Sequence, residues 1–221
     1  MQNLPDHPGF TPNQELHWFI AVDNHSGLAV VQYTRLAGLA PVAHFSQRDP
    51  RWAAQRLGNA GTSTIGSHGC AITALASVLS QYYPTITPAE VNTYLQANGG
   101  YSGNELLWAA LPGLYQQLNS VERYDWDRRL TAAEVAMVNQ RLQQVCIGEV
   151  DFYPKTATQE MHFVVLLGRT TTNGIADYVI LDPWDGSVST LLLRYGDTNA
   201  DGIPDWDIAR ALYGIRVLNF K

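Results

Sequence analysis

Cys70, His162 and Asp182 are the residues of this 221-residue chain whose types, order and surroundings could do chemistry together. Cys70 closes a Ser67-His68-Gly69-Cys70 turn and opens the run Ala71–Leu79, which reads as a buried helix. A thiol in the first turn of a helix lies in the positive end of the helix dipole, which favours the nucleophilic thiolate. Gly66, Ser67, Gly69 and Ala71 leave room for a substrate to reach the sulfur. His162 opens the apolar strand Phe163-Val164-Val165, and Asp182 ends another, just before Pro183-Trp184. In such a set a thiolate attacks a carbonyl carbon. An imidazole keeps the thiol ionised and then protonates the leaving amine, and a carboxylate fixes the imidazole tautomer. Each residue also has a plainer reading: a small core thiol, a structural strand histidine, an Asp-Pro turn. The order of all three speaks for chemistry; that they meet in space is not written in the sequence.

These residues need elements to hold them. Leu16–Val22 and Leu28–Leu36, divided by the turn cluster Asp23-Asn24-His25-Ser26-Gly27, read as a β-hairpin that could serve as a lid, a partner surface or extra sheet. Residues 1–14 read as an irregular arm. The helix from Cys70 should run to about Tyr82, before Pro84. Thr87-Pro88-Ala89-Glu90 and Thr131-Ala132-Ala133-Glu134 are capping boxes that open further helices, the first ending at Asn98-Gly99-Gly100 and the second near Gln144. Glu105–Leu118 reads as helical, broken or kinked at Pro112. Strands are expected at Val145–Val150, His162–Leu167, Asp177–Asp182, Val188–Arg194 and Tyr213–Leu218. Helices first and hairpin-linked strands second predict an α+β fold, with N-terminal helices packed on an antiparallel β-sheet. Two units follow: an arm and hairpin over 1–40, and the main domain over 41–221.

Hydrophobic residues make up 46 % and charged residues 15 %, enough apolar material for a core and too little charge for a disordered chain. A net charge of −6 without basic runs argues against nucleic acid and anionic membrane partners. No apolar run is long enough for a transmembrane segment, and the N-terminus does not read as a signal peptide. The 2 cysteines form no disulfide framework. Cys146, in Val145-Cys146-Ile147-Gly148, reads as a buried, inert thiol of a core strand.

Read together, several stretches resemble the bacteriocin-processing (double-glycine) peptidase-like family, a branch of the papain-like cysteine peptidases. They are Phe45-Ser46-Gln47-Arg48-Asp49-Pro50-Arg51-Trp52, Leu57-Gly58, Thr64-Ile65-Gly66 and Gly69-Cys70-Ala71-Ile72-Thr73-Ala74-Leu75-Ala76. Thr87-Pro88-Ala89-Glu90-Val91-Asn92, Asn98-Gly99-Gly100-Tyr101, His162-Phe163-Val164-Val165 and Leu181-Asp182-Pro183-Trp184 belong to the same pattern. The likeness spans roughly residues 43–195 and implies a papain-like cysteine peptidase fold. It makes Cys70 the nucleophile, His162 the general base and Asp182 its orienting carboxylate. Gln47 becomes an oxyanion donor beside the Cys70 backbone N–H; without the resemblance it is a polar loop residue. The family's processing peptidases usually sit at the N-terminus of a membrane transporter, and nothing here is transporter-like. The hairpin and the segment after about 195 lie outside the likeness. His68 could tune the thiol or be a solvated turn residue.

A separate motif runs from Asp197 to Ile208. Asp197, Asn199, Asp201, the Ile203 carbonyl and Asp205 fall at the ligand positions of a calcium loop around Gly202. Position 12 is Ile208 instead of a bidentate glutamate, and Asp207 could supply the missing ligand. The expected cofactor is a structural Ca²⁺, as in dockerin or thrombospondin-type loops; the alternative is an acidic turn held by its own Asx bonds. Calcium in turn suggests an extracytoplasmic or secreted setting.

The expected activity is a cysteine peptidase that hydrolyses a peptide or amide bond. Its partner would be a peptide or protein substrate, with a cell-wall peptide among the candidates. Trp52, Trp108, Tyr101, Tyr115 and Trp184 could grip a peptide in a groove. An acyl transferase using the same triad and a catalytically silent papain-like peptide-binding module are the alternatives.

Overall fold

A computed structural model describes residues 14–23, 27–36, 41–154, 159–199 and 203–221, the first two stretches as backbone alone. The hairpin is β1 (Gln14–Asp23) and β2 (Gly27–Leu36), in antiparallel register from Gln14↔Leu36 to Asp23↔Gly27. The arm over residues 1–13 and the hairpin turn at 24–26 lie outside the described residues. Next come α1 (Ile65–His68), α2 (Cys70–Leu79) and α3 (Pro88–Ala97), then the short pair β3 (Tyr101–Ser102) and β4 (Glu105–Leu106). A 3-10 turn at Trp108–Ala110 leads into α4 (Leu111–Leu114), β5 (Leu118–Asp125) and α5 (Ala132–Arg141). The remainder is β6 (Cys146–Asp151), β7 (Met161–Thr172), β8 (Ile175–Asp182), β9 (Ser187–Thr190), α6 (Leu191–Tyr195), α7 (Ile208–Ala211) and β10 (Leu212–Phe220).

The fold is α+β around an antiparallel sheet. Strands run β5-β10-β6-β7 through the centre, and β8 and β9 extend the other side of β7. The hairpin joins this sheet through β2 at Thr34↔Arg169, seven residues along β7 from His162, roughly 23 Å at strand rise. It is therefore extra sheet at the far end of β7.

Strand alternation sorts β7 and β8 onto two cores. Phe163, Val165, Leu167, Val179 and Leu181 pack with Ile72, Leu75, Leu79, Val91 and Leu95 of α2 and α3. Val164, Leu166, Tyr178 and Ile180 pack on the opposite face with Val138, Leu191, Leu192 and Ile208 of α5, α6 and α7. Helices thus cover both faces, where the sequence suggested a single helical layer. Cys146 lies in this second core, and burial pushes its thiol up to about 12. It is inert at neutral pH.

Two segments depart from the sequence-based expectation. Glu105–Leu118 is not one helix: it breaks into β4, a 3-10 turn and α4, with Pro112 in the first turn of α4, where its missing N–H costs nothing. Val188–Arg194 is strand only through Thr190, and Leu191–Tyr195 is helical. The buried carboxylate of Asp177 accepts the Leu192 N–H at 3.1 Å, capping that first turn from a neighbouring strand. By contrast, the Thr131 capping box forms in full, and the Thr87 side chain accepts the Glu90 N–H.

Candidate active site

The candidate site lies at the His162 end of β7. Cys70 begins α2, whose first-turn N–H groups have no partner inside the helix. Gly69 precedes it because nothing larger fits: a Cβ there would sit 2.5 Å from the Ile65 carbonyl oxygen. This close approach lets α1 run into α2 and presents the half-buried thiol at the helix start. His162 pairs with Val150 across β6, and Asp182 ends β8. The register Val165↔Leu181 makes Asp182 and His162 diagonal neighbours, within side-chain reach.

His162 Nε2 donates to Asp182 Oδ1 at 2.8 Å, with both side chains almost wholly buried. Cys70 acts on the same ring, and its influence favours the protonated imidazole. Burial opposes the imidazolium, but the bonds to Asp182 and Cys70 and their charges outweigh it and lift His162 to about 9. Asp182 is itself held below the ordinary carboxylate range. Burial works against its charge, but His162, Arg194 and Tyr195 more than compensate.

Asp182 also has partners that the sequence did not announce. Its Oδ2 accepts from Arg194 Nε at 2.6 Å and from the Tyr195 hydroxyl, and its Oδ1 also takes the Trp184 N–H at 2.9 Å. Arg194 bonds Asp185 and Ser187 as well, which ties α6 to the β8–β9 turn. The signal for this pair was the spacing to Asp182, but only a helix in place of the expected strand turns both side chains inward.

Gln47 is 2 % exposed and comes from a loop stitched to the turn after Asp182. The Gln47 N–H donates to Pro183 O at 2.6 Å, and Ser46 Oγ donates to Trp184 O at 3.2 Å. Gly186, at φ 74°, lets the turn close against Ser46. Gln47 Nε2 donates to Gly66 O at 3.2 Å, in the helix just ahead of Cys70. An amide nitrogen carries two protons, so this bond uses one of them.

Phe152 covers His162 at 4.8 Å between ring centroids and meets Trp184 at 5.0 Å, which shields the His162–Asp182 bond. Of the aromatics proposed for a groove, Trp184 alone borders the site half-exposed. Trp52, Trp108, Tyr101 and Tyr115 are core residues instead, since burying their large apolar area is worth more than displaying it. His68 is exposed, with its Nδ1 on Ser67 Oγ at 2.8 Å, and belongs to the solvated turn.

The candidate calcium loop is separate from this cluster, and its Asp201 and Gly202 lie outside the described residues. Asp205 Oδ2 accepts the Thr198 N–H at 2.8 Å, and Asp197 Oδ1 accepts the Asn199 N–H at 3.3 Å. Asp207 caps α7 through the Arg210 N–H at 3.1 Å and is ion-paired with Arg129, bonds that would compete with a cation for its oxygens. Ile203 is exposed. Among the described residues no group of His, Cys, Asp and Glu is gathered as a metal site, and no helix is long and apolar enough to cross a membrane.

No family model and no curated protein matches the sequence. A solved structure from a study of antibody cross-reactivity between the mite allergens Blo t 1 and Der p 1 aligns with it at a TM-score of 0.36 and 12 % identity. That alignment covers 83 % of this chain and 73 % of that one.

Proposed function

We propose that this chain is a papain-like cysteine peptidase, akin to the double-glycine peptidase-like family, that hydrolyses a peptide or amide bond. The observation that supports the reading is the buried His162–Asp182 hydrogen bond, with the half-buried Cys70 acting on the same imidazole. In the acylation step the Cys70 thiolate attacks the carbonyl carbon. The C–N bond then breaks, and the His162 proton leaves with the amine. Water next attacks the thioester, giving its proton to His162 and releasing the acid. The free Gln47 N–H and the Cys70 backbone N–H face the developing oxyanion.

The test is turnover of internally quenched peptides, including cell-wall peptides, by wild type and by Cys70→Ala. Release by wild type alone supports hydrolysis. Release that requires an added amine, with the amine recovered in the product, replaces hydrolysis by acyl transfer. Equal inactivity of both proteins, with tight peptide binding, replaces it by the silent binding module.

Gln47→Ala removes one oxyanion donor, and kcat should fall about 10²–10³-fold with KM little changed. An unchanged kcat would return Gln47 to a purely structural role.

The loop at 197–208 enters this reading as a structural calcium site, on the order of its donors in the sequence. Calcium about a hundredfold above its dissociation constant would stabilise the chain by about 2.7 kcal/mol, a rise in Tm of roughly 5–10 °C. A Tm indifferent to both calcium and chelator would leave an acidic turn in its place.

A further inference from the structure

The surface near His162 carries a charge that no ion pair among the described residues balances. Arg48 directly follows Gln47, and its guanidinium carbon lies 4.7 Å from the ring centroid of Trp184. The Arg48 N–H donates to Ser46 Oγ at 3.1 Å, so the backbone as well as the head group is fixed to the turn after Asp182. The neighbouring arginines are committed: Arg51 to Asp49, and Arg194 to Asp182 and Asp185. Among the described residues Arg48 makes no ion pair, and it is exposed in a chain whose net charge is −6.

The direction of the chemistry says which part of a substrate would meet it. His162 hands its proton to the departing amine, so the leaving portion must lie against His162 and the surfaces beside it. Those surfaces run from Phe152, packed on His162, to Trp184, packed on Phe152, and end at Arg48. A guanidinium held over an indole has N–H groups to spare, and its edge matches a carboxylate in bidentate geometry. Stacking also removes part of the side-chain entropy that such a contact would otherwise cost.

We infer that Arg48 and Trp184 form a subsite for a carboxylate on the leaving-group side of the scissile bond, supplied by an acidic side chain or by the substrate's own C-terminus. The inference rests on the hydrolase reading above. It adds a substrate class: peptides acidic within a few residues after the cleaved bond.

The experiment is cleavage of a proteome-derived peptide library, as such and after amidation of C-termini, by wild type, Cys70→Ala, Arg48→Gln and Arg48→Glu proteins, compared by mass spectrometry. Wild type should favour cleavage sites with a leaving-side carboxylate by about fivefold, the size of an exposed charge pair. The preference should vanish in Arg48→Gln, invert in Arg48→Glu and shrink as salt is raised. If it survives amidation, the carboxylate is a side chain; if amidation abolishes it, the carboxylate is the chain terminus. Cys70-dependent cleavage without a leaving-side preference, or with one that persists in Arg48→Gln, overturns the subsite and leaves the hydrolase standing. Absence of any Cys70-dependent cleavage overturns both.

Discussion

Replacing His162 by alanine should lower kcat by at least about 10⁴-fold, because in the proposed mechanism one imidazole would both ionise the thiol and protonate the leaving amine. Alkylation separates those two roles from simple misfolding. An unperturbed thiol titrates near 8.5, so only about 0.3 % is ionised at about pH 6. A neighbouring imidazolium favours a thiolate electrostatically, although a stabilised thiolate is the weaker nucleophile, which gives back part of the gain. Wild type should therefore react with iodoacetamide at about pH 6 at least about tenfold faster than His162→Ala, with a plateau that the variant lacks. Because His162 is raised to about 9 from an ordinary value of 6.5, its proton is held through neutrality and lost as pH rises through about 9. Turnover should fall on that alkaline limb, and so should the stability that the imidazolium contributes, which is complete below 6.5. Identical thiol titrations in the two proteins would leave the Cys70–His162 pair as scaffold.

Asp182→Asn should be the most damaging conservative change in the chain. Its partners, His162 Nε2–H, Trp184 N–H, Arg194 Nε–H and the Tyr195 hydroxyl, all donate. A carboxylate satisfies them with its two acceptor oxygens. An amide instead turns its own N–H₂ towards a donor and leaves the half-buried Arg194 with Asp185 as its one carboxylate partner among the described residues. Loss of one member of such a buried pair costs about 3–5 kcal/mol, and loss of the histidine tautomer lowers kcat by up to about 10⁴-fold. Denaturant melts and turnover measured on the same preparation check both. A variant of wild-type stability would mean that Arg194 and Tyr195 find other acceptors. Asp182 is held below its ordinary value of 3.8, so its contribution is in place throughout neutrality and is lost only as pH falls below that value, through the lowered folded one.

The candidate set could be picked out of the sequence because each member stands at an element boundary with local markers. A small-residue turn precedes Cys70, an apolar run follows His162, and Asp-Pro follows Asp182. The α+β order and the Thr87 and Thr131 helix starts were legible for the same reason, since capping is a matter of a few neighbouring residues. What stayed hidden depends on distant partners. Leu191–Tyr195 is a short apolar run without a helical or strand period of its own, and the cap that makes it helical comes from Asp177 on β8. The roles of Arg194 and Tyr195 were hidden with it. β5 was missed because Leu118–Asp125 is polar and half-exposed, and only pairing with β10 makes it a strand. Trp52 and Trp108 were assigned to a groove because an aromatic's burial depends on what packs over it, which no local window contains.

The way Arg194 is placed bears on the second half of the reaction. Its charge helps to keep Asp182 ionised, and the His162 proton is favoured first by Asp182 and next by Cys70. In the proposed reaction, acylation would turn the Cys70 sulfur into a neutral thioester and remove its part of that support. Burial, which opposes the imidazolium, would then weigh more heavily, and the ring would give up its proton with the departing amine. A neutral imidazole would be left beside the thioester, able to take a proton from incoming water. The same histidine would change from acid to base because the intermediate erases a charge, with no moving part in the protein.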